Sequence, residues 1–485
     1  MNDPHPPQRT ALIVNSMAHA KSGKTELGET GYSYEFVLRA FLPLLELYGD
    51  VTRISRPESQ VDFAIRRLAA RGKSPIHLSF RPFTDAYLSH NGPNVLFPFW
   101  EFPDIPASDY KDNPRNNWVR IANRASLILT ASSFTAEALA RAGVKTPVRV
   151  VPVPVSSACF DVPDWRRGQS VAIDCPAYVL VQPEVPELHA VDPDARPGPN
   201  SVGFRLKNQV KSLLRRAWVD GLKPLLPLRL SKALVAAKNG FKRAWSEGET
   251  ELPVAEGRLD LSGIVYTSIL NPDDKRKNWR DLITAFLLAL GDRDDATLVL
   301  KLAASYLAPV RELLAFYNRL GVPHRARIVL VTEYLSDAQM RELVRGSTFY
   351  VNASRAEGSC LPLQDFLAAG RPGIAPANTA MSDYFDAWVG YVVESHPEPC
   401  PWPLDDTGRL HTTWHRIVWS SLRDQFAASY QAAKSEAETY QQLAAQARLR
   451  MKSWASPDAV WPRLRAALEL VSTDGAATHG RREAA

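Results

Sequence analysis

Two long blocks of this chain alternate short apolar runs with amphipathic helical stretches, and that rhythm limits the fold more than any other feature. In the first block the strand-like runs are Ala11–Val14, Val51–Ile54, Pro75–Leu78, Val95–Phe99, Ser126–Thr130 and Val148–Val151. Helical stretches such as Tyr34–Tyr48 and Gln60–Arg71 lie between them. A short helix is expected over Thr135–Gly143, with Ser133 placed to cap it and Gly143 to end it. From Ser156 the pattern breaks, and 163–203 is proline-rich and non-periodic. Alternation resumes at Gly263 and runs through strands at Ile264–Leu270, Ala296–Lys301, Arg327–Thr332 and Phe349–Asn352. Such alternation implies a mostly parallel sheet with helices on both faces, here twice over.

The expected architecture is therefore α/β, with two doubly wound, Rossmann-like domains facing a central cleft. At 485 residues the chain is too long for one core. The expected boundaries are 1–160 for the first domain and 161–260 for a proline-rich linker with a basic insertion. The second domain spans 261–404. Alanine-rich helices follow over 405–485, the last part packing back on the first domain and ending in a disordered tail. The four cysteines show no C-x-x-C spacing, which argues against a disulfide framework or zinc site and fits a reducing cytoplasm. The N-terminal segment does not read as a signal peptide, and no apolar run approaches a membrane-spanning length.

After the first strand comes Ser22-Gly23-Lys24-Thr25, the second half of a phosphate-binding P-loop. The first glycine such a loop needs is replaced by Ala18, and the runs Ser126–Thr130 and Thr348–Asn352 end without an acid to hold magnesium. Gly28 and Gly31 then need an explanation other than a P-loop. A P-loop kinase or hydrolase using Gly23, Lys24 and Thr25 stays open as an alternative.

Net charge is +6, but residues 201–245 carry eleven Lys/Arg against Asp220 alone, so the remainder is acidic. Within that segment Leu206, Val210, Leu213, Leu214 and Ala217 fall at helical spacing, flanked by Lys211, Arg215 and Arg216. A basic amphipathic helix suits an anionic membrane surface, which makes the protein cytoplasmic with a peripheral attachment at the inner face of the plasma membrane. Packing on the protein itself is the other reading. Nucleic acid is not an expected partner.

Chemistry concentrates in two passages of the second domain. Lys275, Arg276 and Lys277 precede a helix start, where cations beside exposed amides suit a diphosphate. Glu357-Gly-Ser-Cys-Leu-Pro-Leu-Gln-Asp365 sets two acids on either side of a small-residue loop, suited to sugar hydroxyls and a developing anion.

The second passage, E-G-S-C-L-P-L-Q-D-F-L-A-A-G-R-P, resembles the E-x7-E region of retaining glycosyltransferases of family 4. The Arg276-Lys277-Asn278 run is similar to that family's R-K-N segment, and Thr130 to Val155 to its S-x-F and V-x-V-x-P stretch. The resemblance covers roughly 10–155 and 262–470 and implies a GT-B fold. It implies a nucleotide-sugar donor, a glycan or lipid-linked acceptor, no cofactor and no metal requirement. Glu357 would contact the donor sugar, Asp365 the ribose, and Arg276 and Lys277 the leaving diphosphate. Amides around Gly358, Ser359, Cys360 and Leu361 would assist, and Gly28 and Gly31 would lie in a loop after the first strand that borders the cleft, where donor phosphate or acceptor approaches the backbone. Three positions depart from the family pattern: Asp365 stands for a glutamate, Cys360 for a glycine, and the usual arginine upstream of the lysine is missing. Where many members carry a cleft histidine this chain has Trp100 and Glu101, the acceptor candidates. His77 reads as a core histidine. A catalytically silent GT-B scaffold is the remaining alternative.

Overall fold

The computed structural model describes residues 10–17, 32–180, 257–303, 308–403 and 410–482, with side chains to residue 472. Gly23, Lys24, Thr25, Gly28, Gly31 and the basic segment 201–245 lie outside the described residues. The chain divides into two units. The smaller comprises 181–253 and 306–323, and its described part is a helix, Ala308–Leu320. All other described elements belong to the larger unit.

That unit holds two sheets. The first comprises β1 (Thr10–Ser16), β2 (Asp50–Arg53), β3 (Ser74–Phe80), β4 (Asn94–Leu96), β5 (Leu127–Thr130) and β6 (Val148–Val150). All neighbours are parallel, in the order β2-β1-β3-β4-β5-β6. Alternate residues serve opposite faces. Leu12, Val14, Leu78 and Phe80 pack under α1 (Tyr32–Tyr48), while Ala11 and Ile13 meet Val61, Ala64 and Leu68 of α2 (Pro57–Ala69). Val460, Leu464 and Leu468, from the long C-terminal helix Pro457–Arg482, complete the first of these cores.

Helix α3 (Trp118–Ala122) precedes β5, and α4 (Ser133–Arg141) follows it. Ser132 caps α4, accepting from Thr135 N at 3.2 Å; the expected cap, Ser133, is the first helical residue and is engaged elsewhere. A short helix, α5 (Ser157–Phe160), follows β6.

The expected linker also contains structure. Its strands are β7 (Ser170–Ile173) and β8 (Tyr178–Leu180), and the expected 260/261 boundary falls inside β9 (Leu259–Ser262), which pairs with β7. The second sheet adds β10 (Ile264–Leu270), β11 (Ala296–Leu302), β12 (Arg327–Val331), β13 (Phe349–Val351), β14 (Gly373–Ala375) and β15 (Gly390–Val392). Its order is β15-β14-β13-β10-β11-β12-β8, parallel except for β8. Counted from β10 this is the doubly wound order 3-2-1-4-5-6 reversed, so strand order switches between β10 and β13.

After β15 the expectation of helix from 405 onward is corrected. Residues Ser395–Pro401 (β16) and His411–Ile417 (β17) form an antiparallel hairpin before the C-terminal helices begin at Trp419. Among the described residues no helix is long and apolar enough to cross a membrane.

Candidate functional site

In a doubly wound sheet, ligands bind outside the carboxyl ends of the strands where the order switches. Here those ends are Leu270 of β10 and Val351 of β13. The two passages singled out in the sequence are the segments leaving these two strands, so the topology brings them together.

Lys275–Lys277 is a single 3-10 turn capped by Asp274, which accepts from Arg276 N at 3.0 Å. Asn278 follows in the left-handed region, and α6 (Trp279–Leu290) begins. Lys277 Nζ donates to Glu357 Oε1 at 2.5 Å. The Arg276 guanidinium binds Asp274 at 2.6 Å, Glu101 at 3.0 Å and the Ala356 carbonyl at 2.9 Å. Glu101 belongs to the segment after β4, so this ion pair joins the two Rossmann-like halves. A second joint is Asp383, which accepts from Ser133 N at 2.7 Å and from the Ser133 hydroxyl.

Glu357 is 5% exposed. Burial favours its neutral form, but Lys277 and Arg276 outweigh burial and hold the carboxyl below its usual range. Burial likewise opposes charge on Lys277, and Glu357 reverses the balance, so the ammonium is held. Glu101 behaves differently: burial dominates and pushes its carboxyl up despite Arg276.

The backbone around Glu357 is held from three sides. Its N–H donates to Thr379 Oγ1 at 3.0 Å, its carbonyl accepts from Ala380 N at 3.2 Å, and its side chain receives Asn352 Nδ2 at 3.3 Å. Asn278, Cys360 and Thr379 are all left-handed, with φ of 50°, 55° and 48°. Left-handed backbone costs an L-residue about 1–2 kcal/mol, and such strain gathers where a site over-determines its geometry. Cys360 thus holds a backbone conformation that favours glycine. Asn352 Nδ2 reaches its sulfur at 2.8 Å.

Ser359 O accepts from Tyr384 Oη at 2.7 Å and from Gln364 Nε2 at 3.1 Å, which fixes the loop ahead of α7, Leu361–Ala368. Gly358 lies against the Trp100 backbone, where an added Cβ would sit 3.4 Å from Trp100 N.

Asp365 lies on the side of α7 facing α5. It is half-buried, and Cys159 Sγ is 3.9 Å from its carboxylate. Burial raises its pKa to about 7. Trp100 departs from its expected role, because its ring is 5% exposed and packs with Phe102, Trp118 and Trp402. It is a core side chain with no free face for an acceptor. His77 is held by Asn15 at 2.7 Å and His90 at 3.0 Å, with burial depressing its pKa to about 3.

Sequence reasoning missed Asp274, Asn352, Thr379 and Asp383. Asp274 was adjacent to the cation run and could have been found as its cap; the others are brought in by tertiary structure.

Two Rossmann-like sheets with the switch-point segments of the second turned toward the first define the GT-B architecture. A sucrose-phosphate synthase from Thermosynechococcus elongatus is similar over 96% of this chain and 100% of that one, with a TM-score of 0.52 and 11% identity. An α,α-trehalose 6-phosphate synthase from Burkholderia multivorans is similar over 97% and 100%, with a TM-score of 0.51 and 12% identity. At such identities the likeness establishes the fold. No family model matches the chain, and no curated protein matches it in sequence.

Proposed function

We propose that the protein is a retaining glycosyltransferase that moves a sugar from a nucleotide-sugar to a glycan or lipid-linked acceptor in bacterial polysaccharide or glycolipid synthesis. The observation that carries this reading is the buried Lys277–Glu357 pair at the switch point of the second sheet. A fixed ammonium beside small-residue amides suits a leaving diphosphate, and a fixed carboxylate suits sugar hydroxyls. In the reaction the bond from the anomeric carbon to the diphosphate breaks as the acceptor hydroxyl attacks the same face. The hydroxyl proton passes to the departing phosphate oxygen. Lys277 and Arg276 offset the charge that develops there, without a metal; Asp365 receives the ribose.

A thermal-shift screen against UDP-, GDP-, ADP- and dTDP-sugars, followed by nucleotide-release assays, tests the reading. Stabilisation by one base series and acceptor-dependent release support it; neither in any series overturns it. The silent GT-B scaffold is favoured by one observation, the engagement of both cations by protein carboxylates, and the release assay separates the two. Lys24→Ala addresses the P-loop alternative, which alone requires that substitution to abolish activity.

A further inference from the structure

Three ion pairs meet at the switch point of the second sheet, joining Arg276 and Lys277 to Asp274, Glu357 and Glu101. Two cations facing three carboxylates leave these paired groups one negative charge in excess, which opposes the entry of a diphosphate. A diphosphate that is to reach Arg276 must displace a carboxylate, and the three are held differently. Asp274 is tied to its own turn, accepting from Arg276 N at 3.0 Å as well as from the guanidinium at 2.6 Å. Glu357 is buried, holds Lys277 and receives Asn352 Nδ2. Glu101 comes from the opposite half, and among the described residues Arg276 is the cation paired with its carboxylate, at 3.0 Å.

The Glu101 contact is also the one able to yield. Burial, together with the neighbouring Asp274 and Glu357, pushes the Glu101 carboxyl up despite Arg276, whereas Glu357 is held below its usual range. The Glu101 and Arg276 side chains are each 19% exposed, so an anion in solvent can reach the pair. Nor do the two halves depend on this contact to stay joined. Thr412 Oγ1 of β17 donates to Asp104 at 2.8 Å, Ser133 N donates to Asp383 at 2.7 Å, and Trp402 packs 4.9 Å from Trp100.

We propose that Glu101 is a latch on the diphosphate site: it occupies Arg276 while the site is empty, yields the guanidinium to an incoming diphosphate, and returns when the nucleoside diphosphate leaves. The exchange is of one anion for another on a single guanidinium, whose fork matches carboxylate and phosphate alike. Affinity for donor and product is reduced by the fraction of molecules that are latched, which favours product release. The words donor and product rest on the glycosyltransferase reading; the exchange at Arg276 does not.

Isothermal titration with inorganic pyrophosphate, which carries the diphosphate and nothing else, tests the latch, with nucleoside diphosphates and nucleotide-sugars run in parallel. Wild type should bind pyrophosphate weakly, and Glu101→Gln, which offers Arg276 no charge, about tenfold more tightly. Glu101→Asp keeps the charge but falls one methylene short of Arg276, so it should tighten binding as well. Equal or weaker pyrophosphate binding by Glu101→Gln would overturn the latch. So would tightening in Glu101→Gln without Glu101→Asp, which is the field of a charge rather than a contact, or no pyrophosphate binding by any of the three proteins. Tightened pyrophosphate binding with no nucleotide-sugar binding in any base series keeps the latch and overturns the glycosyltransferase reading. Nucleotide-sugar binding that neither substitution alters does the reverse.

Discussion

Removing one member of the Lys277–Glu357 pair has two consequences that can be separated. The charged atoms are 2.5 Å apart, and Glu357 is nearly inaccessible. At an effective dielectric of about 20 their attraction is roughly 6–7 kcal/mol, most of it offset by desolvation of both groups. Lys277→Ala leaves a buried carboxylate with only uncharged side-chain hydrogen-bond partners, Ser354 and Asn352, the latter 3.3 Å away. Breaking a buried pair from one side costs about 3–5 kcal/mol of stability. Glu357→Gln strands the ammonium at similar cost. The double variant Lys277→Ala/Glu357→Gln buries no unpaired charge and should be more stable than either single variant.

Turnover should behave oppositely. Each single change removes about 2–4 kcal/mol of transition-state stabilisation, and the double recovers none of it. Urea denaturation gives the stability cycle, and nucleotide release gives the catalytic one. If turnover recovers in the double variant along with stability, the pair is only structural and the argument fails.

Three further outcomes follow. The Asp365 pKa is raised to about 7 by burial, so the ionised form that would accept ribose hydroxyls is lost as pH falls through that value. Donor affinity by calorimetry should therefore rise with pH and level off above about 7, whereas Asp365→Asn should be flat; a flat wild-type profile contradicts the ribose role. Cys360→Gly relieves φ of 55° but loses the Asn352 contact, so denaturation should show a change within about 1 kcal/mol in either direction. A large loss would mean that the sulfur, rather than the turn, is what the site needs. For the basic segment 201–245, intact protein should co-sediment with anionic vesicles and release at high salt, and a version lacking the segment should not. Equal behaviour of the two versions removes the membrane reading alone.

The site was legible because its two passages leave adjacent parallel strands, and local sequence is enough to place residues at strand ends. Lys277 and Glu357, eighty residues apart, meet for that reason. The hairpin was not legible. β16 reads Ser-His-Pro-Glu-Pro-Cys-Pro, and prolines argue against a strand. Pro397, Pro399 and Pro401 alternate, while the flanking ladder bonds, Trp402 N to Leu410 O and Val418 N to Glu394 O, fall on even positions of this strand. The prolines thus occupy non-hydrogen-bonded pairs and remove no ladder bond. β7 and β8 escaped notice through brevity, since two inward residues such as Val171 and Ile173 make no detectable period. Thr379 is invisible for another reason: nothing in sequence signals that a β-branched residue will sit at φ of 48° to reach Glu357.

The central claim is that the switch point of the second sheet holds a nucleotide-sugar through Lys277 and Glu357. Isothermal titration of wild type, Lys277→Ala and Glu357→Gln with UDP-, GDP-, ADP- and dTDP-sugars, and with the matching free diphosphates, tests it most directly. One base series should bind the wild type. Lys277→Ala should weaken the sugar form and its diphosphate alike, by about tenfold or more, whereas Glu357→Gln should weaken the sugar form and spare the diphosphate. No binding in any series, or binding that neither substitution alters, would contradict the account.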